Sequence, residues 1–240
     1  MSYMKKALLA LSFATSHVLL VAPVHADQAT DTIKQKLESQ FEMRVESIQK
    51  TPYAELYEIV TDETILYTDA KASFLLAGTL VETDPYRDVT AERMKQISVK
   101  TFASLPLDKA ITWTKGDGTH KIVTFEDPNC TYCRRLYKEL QALPDVTVHT
   151  FMLPILSADS RKKVSNIWCS ENKYQTWNAW MANSVVPPDV KQCDDEPSAE
   201  LLALSRKLEV RGTPVILLAN GERFNGYVPG ETIKKALLEK

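Results

Sequence analysis

Two cysteines separated by two residues, Cys130 and Cys133, carry the strongest chemical signal in this sequence. They follow a short apolar stretch at 121–125 and begin a segment with helical periodicity at 130–140. At the start of a helix, unpaired N–H groups and the positive end of the helix dipole stabilise a thiolate, so Cys130 is predicted to be a nucleophile. Cys133, about one turn further along, is predicted to be shielded and placed to attack a mixed disulfide on Cys130. The pair therefore predicts thiol–disulfide exchange.

Two other uses of a CxxC pair compete with this interpretation. The pair could be half of a zinc site, but Cys169 and Cys193 lie far apart in the sequence. His120 and His149 also lack the spacing of zinc ligands. An inert structural disulfide is the other alternative, but so short a bridge barely restricts the unfolded chain. The sequence therefore favours a redox pair and predicts neither a metal nor a cofactor.

A second signal lies far downstream, where Thr213 and Pro214 directly precede an apolar run at 215–219. A proline at this point interrupts strand pairing and, if its peptide bond is cis, exposes the backbone of Thr213 as an edge for an extended substrate. A Thr-Pro pair alone is more often a trans turn. Combined with an upstream CxxC pair, Thr213 and Pro214 become candidate substrate-binding residues.

Two acidic residues, Glu126 and Asp127, lie between the apolar stretch and the cysteines. Either carboxylate could relay a proton to Cys133 during exchange. Asp127 could equally cap the start of the helix. Both residues are candidates for a proton relay, and the capping alternative stays open for Asp127.

The first 26 residues resemble a secretory leader. Lys5 and Lys6 precede an apolar segment at 7–24, and the small-residue signature that ends in Ala26 predicts cleavage after that residue. An uncleaved membrane anchor is the alternative, but polar residues between 12 and 17 interrupt the apolar run. Disulfides persist outside the cytosol, so the four cysteines are expected to form two bridges. Three pairings are possible, and the short gap between Cys130 and Cys133 favours one of them.

Composition excludes several classes of protein. A chain of 240 residues with 44% hydrophobic and 25% charged residues is an ordinary globular protein with room for two modest cores. The formal net charge of -2 becomes more negative once the two leader lysines are removed, and no Lys/Arg block is present. The chain is therefore a poor candidate for sequence-independent nucleic-acid binding, and no nucleic-acid partner is expected.

The first half of the mature chain predicts a small α+β unit followed by a polar helix. The unit lacks cysteine and histidine, which favours a role in association or in cradling a substrate. The polar helix, for which Thr90 is the candidate N-cap, is typical of a bridge between domains. The predicted elements are a helix at 31–41, strands at 44–48, 55–60, 64–67 and 74–81, and the bridging helix at 89–102.

The second half alternates between strands and helices. The first three elements predict a β-α-β unit, in which the two strands are parallel. Four aromatic residues recur at helical spacings and are interpreted as core residues rather than a ligand platform: Trp168, Tyr174, Trp177 and Trp180. The predicted elements are a strand at 121–125, a helix at 130–140, a strand at 146–151, helical regions at 161–182 and 199–208, a hairpin of strands at 215–218 and 222–224, and a helix at 231–238.

These motifs resemble the thioredoxin fold and, more closely, the periplasmic disulfide isomerases of the DsbC/DsbG family. The resemblance rests on Cys130-Thr-Tyr-Cys133 before a helix, on the Gly212-Thr213-Pro214 loop and on the order of the elements. It covers essentially the whole mature chain. One departure is Thr131, which stands where a small Gly or a Pro is expected between the cysteines. That departure bears on the redox potential and on the balance between isomerase and oxidase activity.

The resemblance implies a domain organisation and a set of site residues. It implies an α+β N-terminal dimerisation domain at 27–87, a linker helix at 88–103 and an α/β thioredoxin-like domain with a helical insertion at 104–240, after a signal peptide at 1–26. Cys130 and Cys133 correspond to the family's nucleophilic and resolving cysteines, and Pro214 to its cis-proline. Cys169 and Cys193 correspond to a second, structural disulfide. Closing its loop of about 25 residues is worth about 3.5 kcal/mol in the chain-entropy model.

The leading functional hypothesis is a periplasmic, homodimeric thiol:disulfide interchange protein that isomerises, and can reduce, non-native disulfides in secreted proteins. Its expected partners are misoxidised or unfolded secreted proteins and, as the resemblance implies, an inner-membrane electron donor of the DsbD type. Two alternatives stay open from the sequence. One is a DsbG-like chaperone that holds clients and has a minor redox role, and the other is a dithiol oxidase.

Overall fold

The computed structural model describes residues 28–61 and 64–238. The predicted leader and its cleavage site after Ala26 lie outside the described residues. The first part of the chain contains α1 (Gln28–Phe41), β1 (Val45–Lys50), β2 (Tyr57–Thr61), β3 (Ile65–Thr68), β4 (Leu76–Ala77), β5 (Val81–Thr83), β6 (Tyr86–Asp88) and α2 (Val89–Ala103).

The N-terminal sheet is antiparallel and has the strand order β1-β2-β3-β4. The apolar face of α1 covers it because Ile33 and Leu37, spaced one helical turn apart, are both buried against Tyr57, Ile59 and Leu66. A separate two-stranded ribbon, β5 and β6, follows the sheet. Helix and sheet together form the α+β unit that the sequence predicts.

The predicted strand at 74–81 is wrong. The chain forms two shorter strands there, β4 and β5, and β5 pairs with β6, a strand that the sequence analysis did not predict. Gly78 lies between β4 and β5, and glycine in a strand interior weakens pairing. A turn at the cis Asp84–Pro85 bond separates β5 from β6.

The N-cap predicted for the bridging helix is also wrong. Asp88 occupies that position and accepts a hydrogen bond from the backbone N–H of Ala91 at 2.8 Å. The Thr90 hydroxyl instead accepts from the backbone N–H of Leu80 at 2.8 Å and lies 2.6 Å from the hydroxyl of Tyr67. The first turn of α2 is therefore fastened to the N-terminal unit.

The second part of the chain contains the following elements: a 3₁₀ turn (Leu107–Lys109), β7 (Ile111–Lys115), β8 (His120–Glu126), α3 (Thr131–Ala142), β9 (Val146–Met152), α4 (Ala158–Trp168), α5 (Lys173–Asn183), α6 (Ser198–Lys207), β10 (Val215–Leu218), β11 (Arg223–Asn225) and α7 (Gly230–Leu238). The helical region predicted at 161–182 is two helices, α4 and α5, rather than one. No helix among the described residues is long and apolar enough to cross a membrane.

The second sheet has the order β11-β10-β8-β9-β7. β8 and β9 are parallel with α3 between them in sequence, as predicted, and the other pairs are antiparallel. The strand β7 was not predicted, although Ile111 and Trp113 are buried in alternation with exposed threonines. Because β10 runs antiparallel to β8, the end of β8, the start of α3 and the start of β10 lie together at one end of these strands.

Apolar side chains cover both faces of this sheet. One core contains residues of α3, α4, α5 and α7, and the other contains residues of α6 together with Phe102 from α2. Trp168, Trp177 and Trp180 are buried, which confirms their interpretation as core residues. The last turn of α2, the linker helix, therefore packs against the second domain, and its first turn is hydrogen-bonded to the first domain.

Candidate active site

Cys130 is the N-cap residue of α3. β8 delivers the chain to this point and ends at Glu126, and α3 begins at Thr131. The sulfur of Cys130 accepts a hydrogen bond from the backbone N–H of Cys133 at 3.3 Å, as the side chain of an N-cap residue does. Cys130 keeps 7% of its surface exposed, whereas Cys133 keeps none. The two sulfurs, both free thiols here, therefore differ in their access to solvent.

The surroundings of Cys130 stabilise its thiolate and lower the pKa of this thiol to about 6. The largest cause is a hydrogen bond from the Cys133 thiol, and the backbone N–H groups of Cys133 and Tyr132 add to it, while partial burial opposes it. In the protonated state the Cys130 sulfur lies 3.4 Å from the carbonyl oxygen of Thr213, to which it donates. A carbonyl can accept from the thiol only, so this contact does not stabilise the thiolate.

Cys133 has the opposite electrostatic environment. Burial is the largest cause that raises the pKa of its thiol far above the ordinary range. Its hydrogen bond to the Cys130 sulfur and the negative charges of Glu126 and Cys130 raise this pKa further. At neutral pH Cys133 is therefore a protonated thiol that can donate to the thiolate beside it.

Glu126 is a fully buried carboxyl group close to this pair. One carboxylate oxygen accepts from the Thr124 hydroxyl at 2.6 Å, and the other has no hydrogen-bond partner among the described residues. Burial raises the pKa of Glu126 to about 8, and the charge on Cys130 contributes to this shift. The carboxyl can therefore hold or release a proton close to neutral pH.

Asp127 is engaged in a different task. Its Oδ1 accepts from the backbone N–H of Asn129 and from the hydroxyl of Ser160, both at 2.8 Å. Its Oδ2 accepts from the backbone N–H groups of Ile155 and Leu156, both at 2.9 Å. The suggestion that Asp127 caps the helix is wrong, because a cysteine occupies the N-cap. The carboxylate instead ties the loop before α3 to the loop after β9.

The predicted substrate-binding residues lie directly beside the nucleophile candidate. The peptide bond between Thr213 and Pro214 is cis, and the carbonyl of Thr213 faces the Cys130 sulfur. The hydroxyl of Thr213 is buried beside the Cys130 sulfur and contributes to lowering the pKa of that thiol. Two segments that are 83 residues apart in the sequence therefore meet at one sulfur.

The other two cysteines form a disulfide on a different part of the surface. Cys169, the C-cap of α4, is bonded to Cys193, with an S–S distance of 1.97 Å and 5.6 Å between the Cα atoms. The backbone N–H of Cys193 also lies 3.0 Å from the Cys169 sulfur. The bridge ties the helical insertion to the segment that precedes α6.

Several aromatic side chains around the CxxC pair were not singled out as site residues by the sequence. The Tyr132 ring is 60% exposed and lies 6.2 Å from the Tyr227 ring, over which the guanidinium of Arg135 stacks at 4.4 Å. Arg134 stacks on Trp180 at 4.0 Å. Two arginines directly after a CxxC pair are a signal that could have prompted a search for aromatic partners.

A large cleft opens next to the cis-proline loop. Its volume is about 1220 Å³, and it lies between the N-terminal sheet, α2 and the loop that carries Pro214. Met94 and Ile97 of α2 contribute apolar lining, and Arg93 and Lys100 contribute cationic groups. Thr213 and Pro214 are part of the lining of this cleft.

Comparisons with known proteins agree with this geometry. A family model of the disulfide bond isomerase N-terminal domain matches residues 23–91, and a thioredoxin-like domain model matches residues 107–240. A protein of Bordetella pertussis named "Probable thiol:disulfide interchange protein DsbC" is 40% identical over 212 residues, which are 88% of this chain and 75% of that protein. The thiol:disulfide interchange protein DsbC of Escherichia coli K12 is 28% identical over 221 residues, which are 88% of this chain and 89% of that protein.

A solved structure supports the same relationship. The crystal structure of a disulfide interchange protein from Neisseria gonorrhoeae superposes with a TM-score of 0.53 at 35% sequence identity, and covers 55% of this chain and 96% of its own. The sequence matches span both halves of the chain, so the N-terminal unit and the thioredoxin-like fold belong to one recognised architecture. The chain thus belongs to the DsbC family of thiol:disulfide interchange proteins, and its function is that of a disulfide isomerase.

Proposed function

We propose that Cys130 is the attacking thiol of this isomerase and that Cys133 is its resolving partner. The Cys130 thiolate attacks a mispaired client disulfide, forms a mixed disulfide, and expels the second client sulfur as a thiolate. If another client thiol then attacks, the client is isomerised without net electron transfer. If Cys133 attacks instead, the CxxC pair is oxidised and the client is reduced by two electrons. The observation that carries this proposal is the N-cap position of Cys130, where hydrogen bonds lower the thiol pKa to about 6.

Glu126 is proposed as the proton acceptor for Cys133. While Cys130 is a thiolate, its charge helps to keep the Glu126 carboxyl protonated. A mixed disulfide removes that charge, so the pKa of Glu126 falls and the carboxylate becomes available. Since Cys133 must lose its proton to attack, a buried base that ionises at this step promotes resolution. Asp127 was an equal candidate from the sequence, but its two oxygens already accept four hydrogen bonds.

Clients are proposed to bind along Thr213 and Pro214 and in the adjoining cleft. Five large apolar side chains of the N-terminal unit are exposed, and β4, which carries one of them, is an edge strand of its sheet: Phe41, Phe74, Leu76, Val81 and Tyr86. Exposed apolar groups at a sheet edge favour association, so residues 27–87 are proposed to form a homodimer. Sedimentation at micromolar concentration tests this step, and a chain that remains monomeric contradicts it.

The periplasm is the proposed compartment. The predicted leader directs export, and the disulfide between Cys169 and Cys193 is of a kind that persists in an oxidising environment. An isomerase there needs its CxxC pair reduced, which requires an electron donor of the DsbD type. Recovery of the mature chain from a periplasmic fraction, with Asp27 as its first residue, is the expected result. Retention in the cytosol would contradict the proposal.

The substitution Cys130→Ala tests the assignment of the nucleophile. The variant is expected to lose the ability to rearrange scrambled ribonuclease, because it cannot form the mixed disulfide. The matched variant Cys133→Ala keeps the attacking sulfur and is expected to form mixed disulfides that only external thiols release. Both variants are also assayed for suppression of aggregation. If the Cys130→Ala variant still rearranged scrambled ribonuclease, the assignment of the nucleophile would be wrong. If the parent chain suppressed aggregation but rearranged no disulfides, the chaperone alternative would replace the proposed function.

A further inference from the structure

Trp180 on α5 makes a contact that no other tryptophan of this chain makes. Its indole Nε1–H donates to the carbonyl oxygen of Pro128 at 2.6 Å, and this buried bond joins residues 52 positions apart in the sequence. Trp113, Trp168 and Trp177 have buried indole nitrogens without a partner among the described residues. Those three fill space, whereas Trp180 also holds a specific backbone group.

The backbone group that it holds lies two residues before the nucleophile candidate. The loop at 127–130 turns sharply, with the backbone N–H of Cys130 donating to the carbonyl of Asp127 at 3.0 Å. Asp127 anchors the start of this loop from the side of β9. The Pro128 carbonyl is anchored from the side of the helical insertion, by Trp180. The loop is therefore restrained on both sides before it reaches the sulfur.

Two cations lie against the same indole ring and connect it to both sides of Cys130. The guanidinium of Arg134 lies 4.0 Å and the ammonium of Lys163 4.5 Å from the ring centroid. Arg134 belongs to the first turn of α3 and donates to the hydroxyl of Ser184 at 2.8 Å. Lys163 pairs with Asp159, a residue that also accepts from the side-chain amide of Asn129. The ring thus contacts groups that precede and follow the candidate nucleophile.

We propose that Trp180 is a positioning residue that, through Pro128 and Arg134, fixes the Cys130 sulfur over the first turn of α3. The inference rests on the proposed role of Cys130 as the attacking thiol. It assigns a task in the reaction to the helical insertion, which supplies none of the reacting atoms. The Cys133 N–H donates to the Cys130 sulfur at 3.3 Å, and a movement of the loop that displaces the sulfur would weaken this hydrogen bond.

The substitution Trp180→Phe tests the proposal because it keeps an aromatic ring and removes the N–H donor. The rate of alkylation of Cys130 is measured against pH by peptide mass spectrometry on the reduced chain. The midpoint is expected to rise by about half a pKa unit, which is roughly a threefold loss of preference for the thiolate. The matched control is Trp177→Phe on the same helix, a fully buried ring without a hydrogen bond. It is expected to lower thermal stability and to leave the midpoint unchanged.

A second variant keeps the test decisive if Trp180→Phe does not fold. Replacement of Trp180 by β-(3-benzothienyl)alanine retains the size of the ring and both cation contacts but cannot donate a hydrogen bond. The same rise in midpoint is expected. If Cys130 of the parent chain reacts with a low midpoint and the folded variant has the same midpoint, the role of Trp180 would be wrong and the proposed function would stand. A parent chain whose Cys130 titrates as an ordinary cysteine would overturn the proposed function instead.

Discussion

This chain carries two pairs of cysteines that have opposite characters. Cys130 and Cys133 are free thiols at the start of a helix, whereas Cys169 and Cys193 form a disulfide between the end of α4 and a loop. At the start of a helix, N–H groups point at the sulfur and favour its anion. At the end of a helix, carbonyl groups dominate and offer no such stabilisation. The same residue type is therefore reactive or structural according to which end of a helix holds it.

Loop length reinforces the difference. In the chain-entropy model the stabilisation grows with the size of the closed loop, so the bridge across about 25 residues, worth about 3.5 kcal/mol, stabilises more than one across the CxxC motif. The short bridge therefore costs less stability when it opens, and the lowered pKa of Cys130 favours the open form. The long bridge has a structural reason to stay closed. On the proposed function, redox cycling is therefore expected at the CxxC pair.

The largest expected effect concerns Glu126, the buried carboxyl group close to the CxxC pair. The pKa of Glu126 is raised from an ordinary 4.5 to about 8, so the unfolded chain releases this proton at lower pH than the folded chain does. This group makes the free energy of unfolding fall by about 4–5 kcal/mol as pH rises from 4.5 through 8. Glu126→Gln cannot ionise and is expected to be relatively more stable at pH 9 than at pH 5.

Urea unfolding of the reduced chains at both pH values measures this difference. Differences are taken between variant and parent at each pH, so the titration of other groups largely cancels. The control is Glu231→Gln, which makes the same substitution at a side chain that is 89% exposed. Parallel stability profiles for Glu126→Gln and the parent would show that the buried carboxyl does not titrate as described.

The next largest effect is removal of the structural bridge. The double variant Cys169→Ala/Cys193→Ala is expected to lose about 3.5 kcal/mol of unfolding free energy. The alkylation midpoint of Cys130 is expected to stay unchanged, because the bridge lies outside its hydrogen-bond network. Denaturant unfolding and the alkylation profile are measured on the same preparation. A shifted alkylation midpoint of Cys130 would mean that the two pairs of cysteines are coupled, which would contradict their independence.

The smallest expected effect comes from removing a cation that lies on a tryptophan ring. One such cation lies beside each pair of cysteines, so the two can be compared. Arg134 lies over Trp180, next to the CxxC motif, and Lys173 lies 3.5 Å from the centroid of Trp168, next to Cys169. Arg134→Gln removes a positive charge near the thiolate and is expected to raise the Cys130 midpoint by a few tenths of a pKa unit at low salt, roughly what a partly screened charge contributes. Lys173→Gln is expected to have no effect on it. Equal shifts in both variants would rule out a local origin.

Local sequence signals located most of the candidate site. The CxxC spacing before a periodic helix and the Thr-Pro pair before an apolar strand each lie within a few residues, so both were visible without a structure. The different surroundings of Glu126 and Asp127 were not visible, because those of Asp127 depend on backbone N–H groups of a loop almost thirty residues away. The bond from Trp180 to Pro128 spans a still longer stretch. Partners of this kind are set by the tertiary fold.

The fold follows the same rule. The β8-α3-β9 unit was predicted because its apolar runs are long and its helix is periodic. The strands β4, β5 and β6 have only two or three residues each, so their pairing is decided by neighbours rather than by a pattern. The strand β7 shows a regular alternation in ITWTK and could have been found. Short edge strands are therefore the part of this molecule that sequence alone describes least well.

The most direct measurement is site-resolved alkylation of the reduced parent chain between pH 4 and pH 9. We expect Cys130 to react with a midpoint of about 6 and Cys133 to remain almost unreacted across the range, because hydrogen bonds favour one thiolate and burial prevents the other. If both sulfurs reacted at similar rates, with Cys130 titrating near the ordinary cysteine value of about 8.5, the asymmetry on which this account of the enzyme depends would be absent.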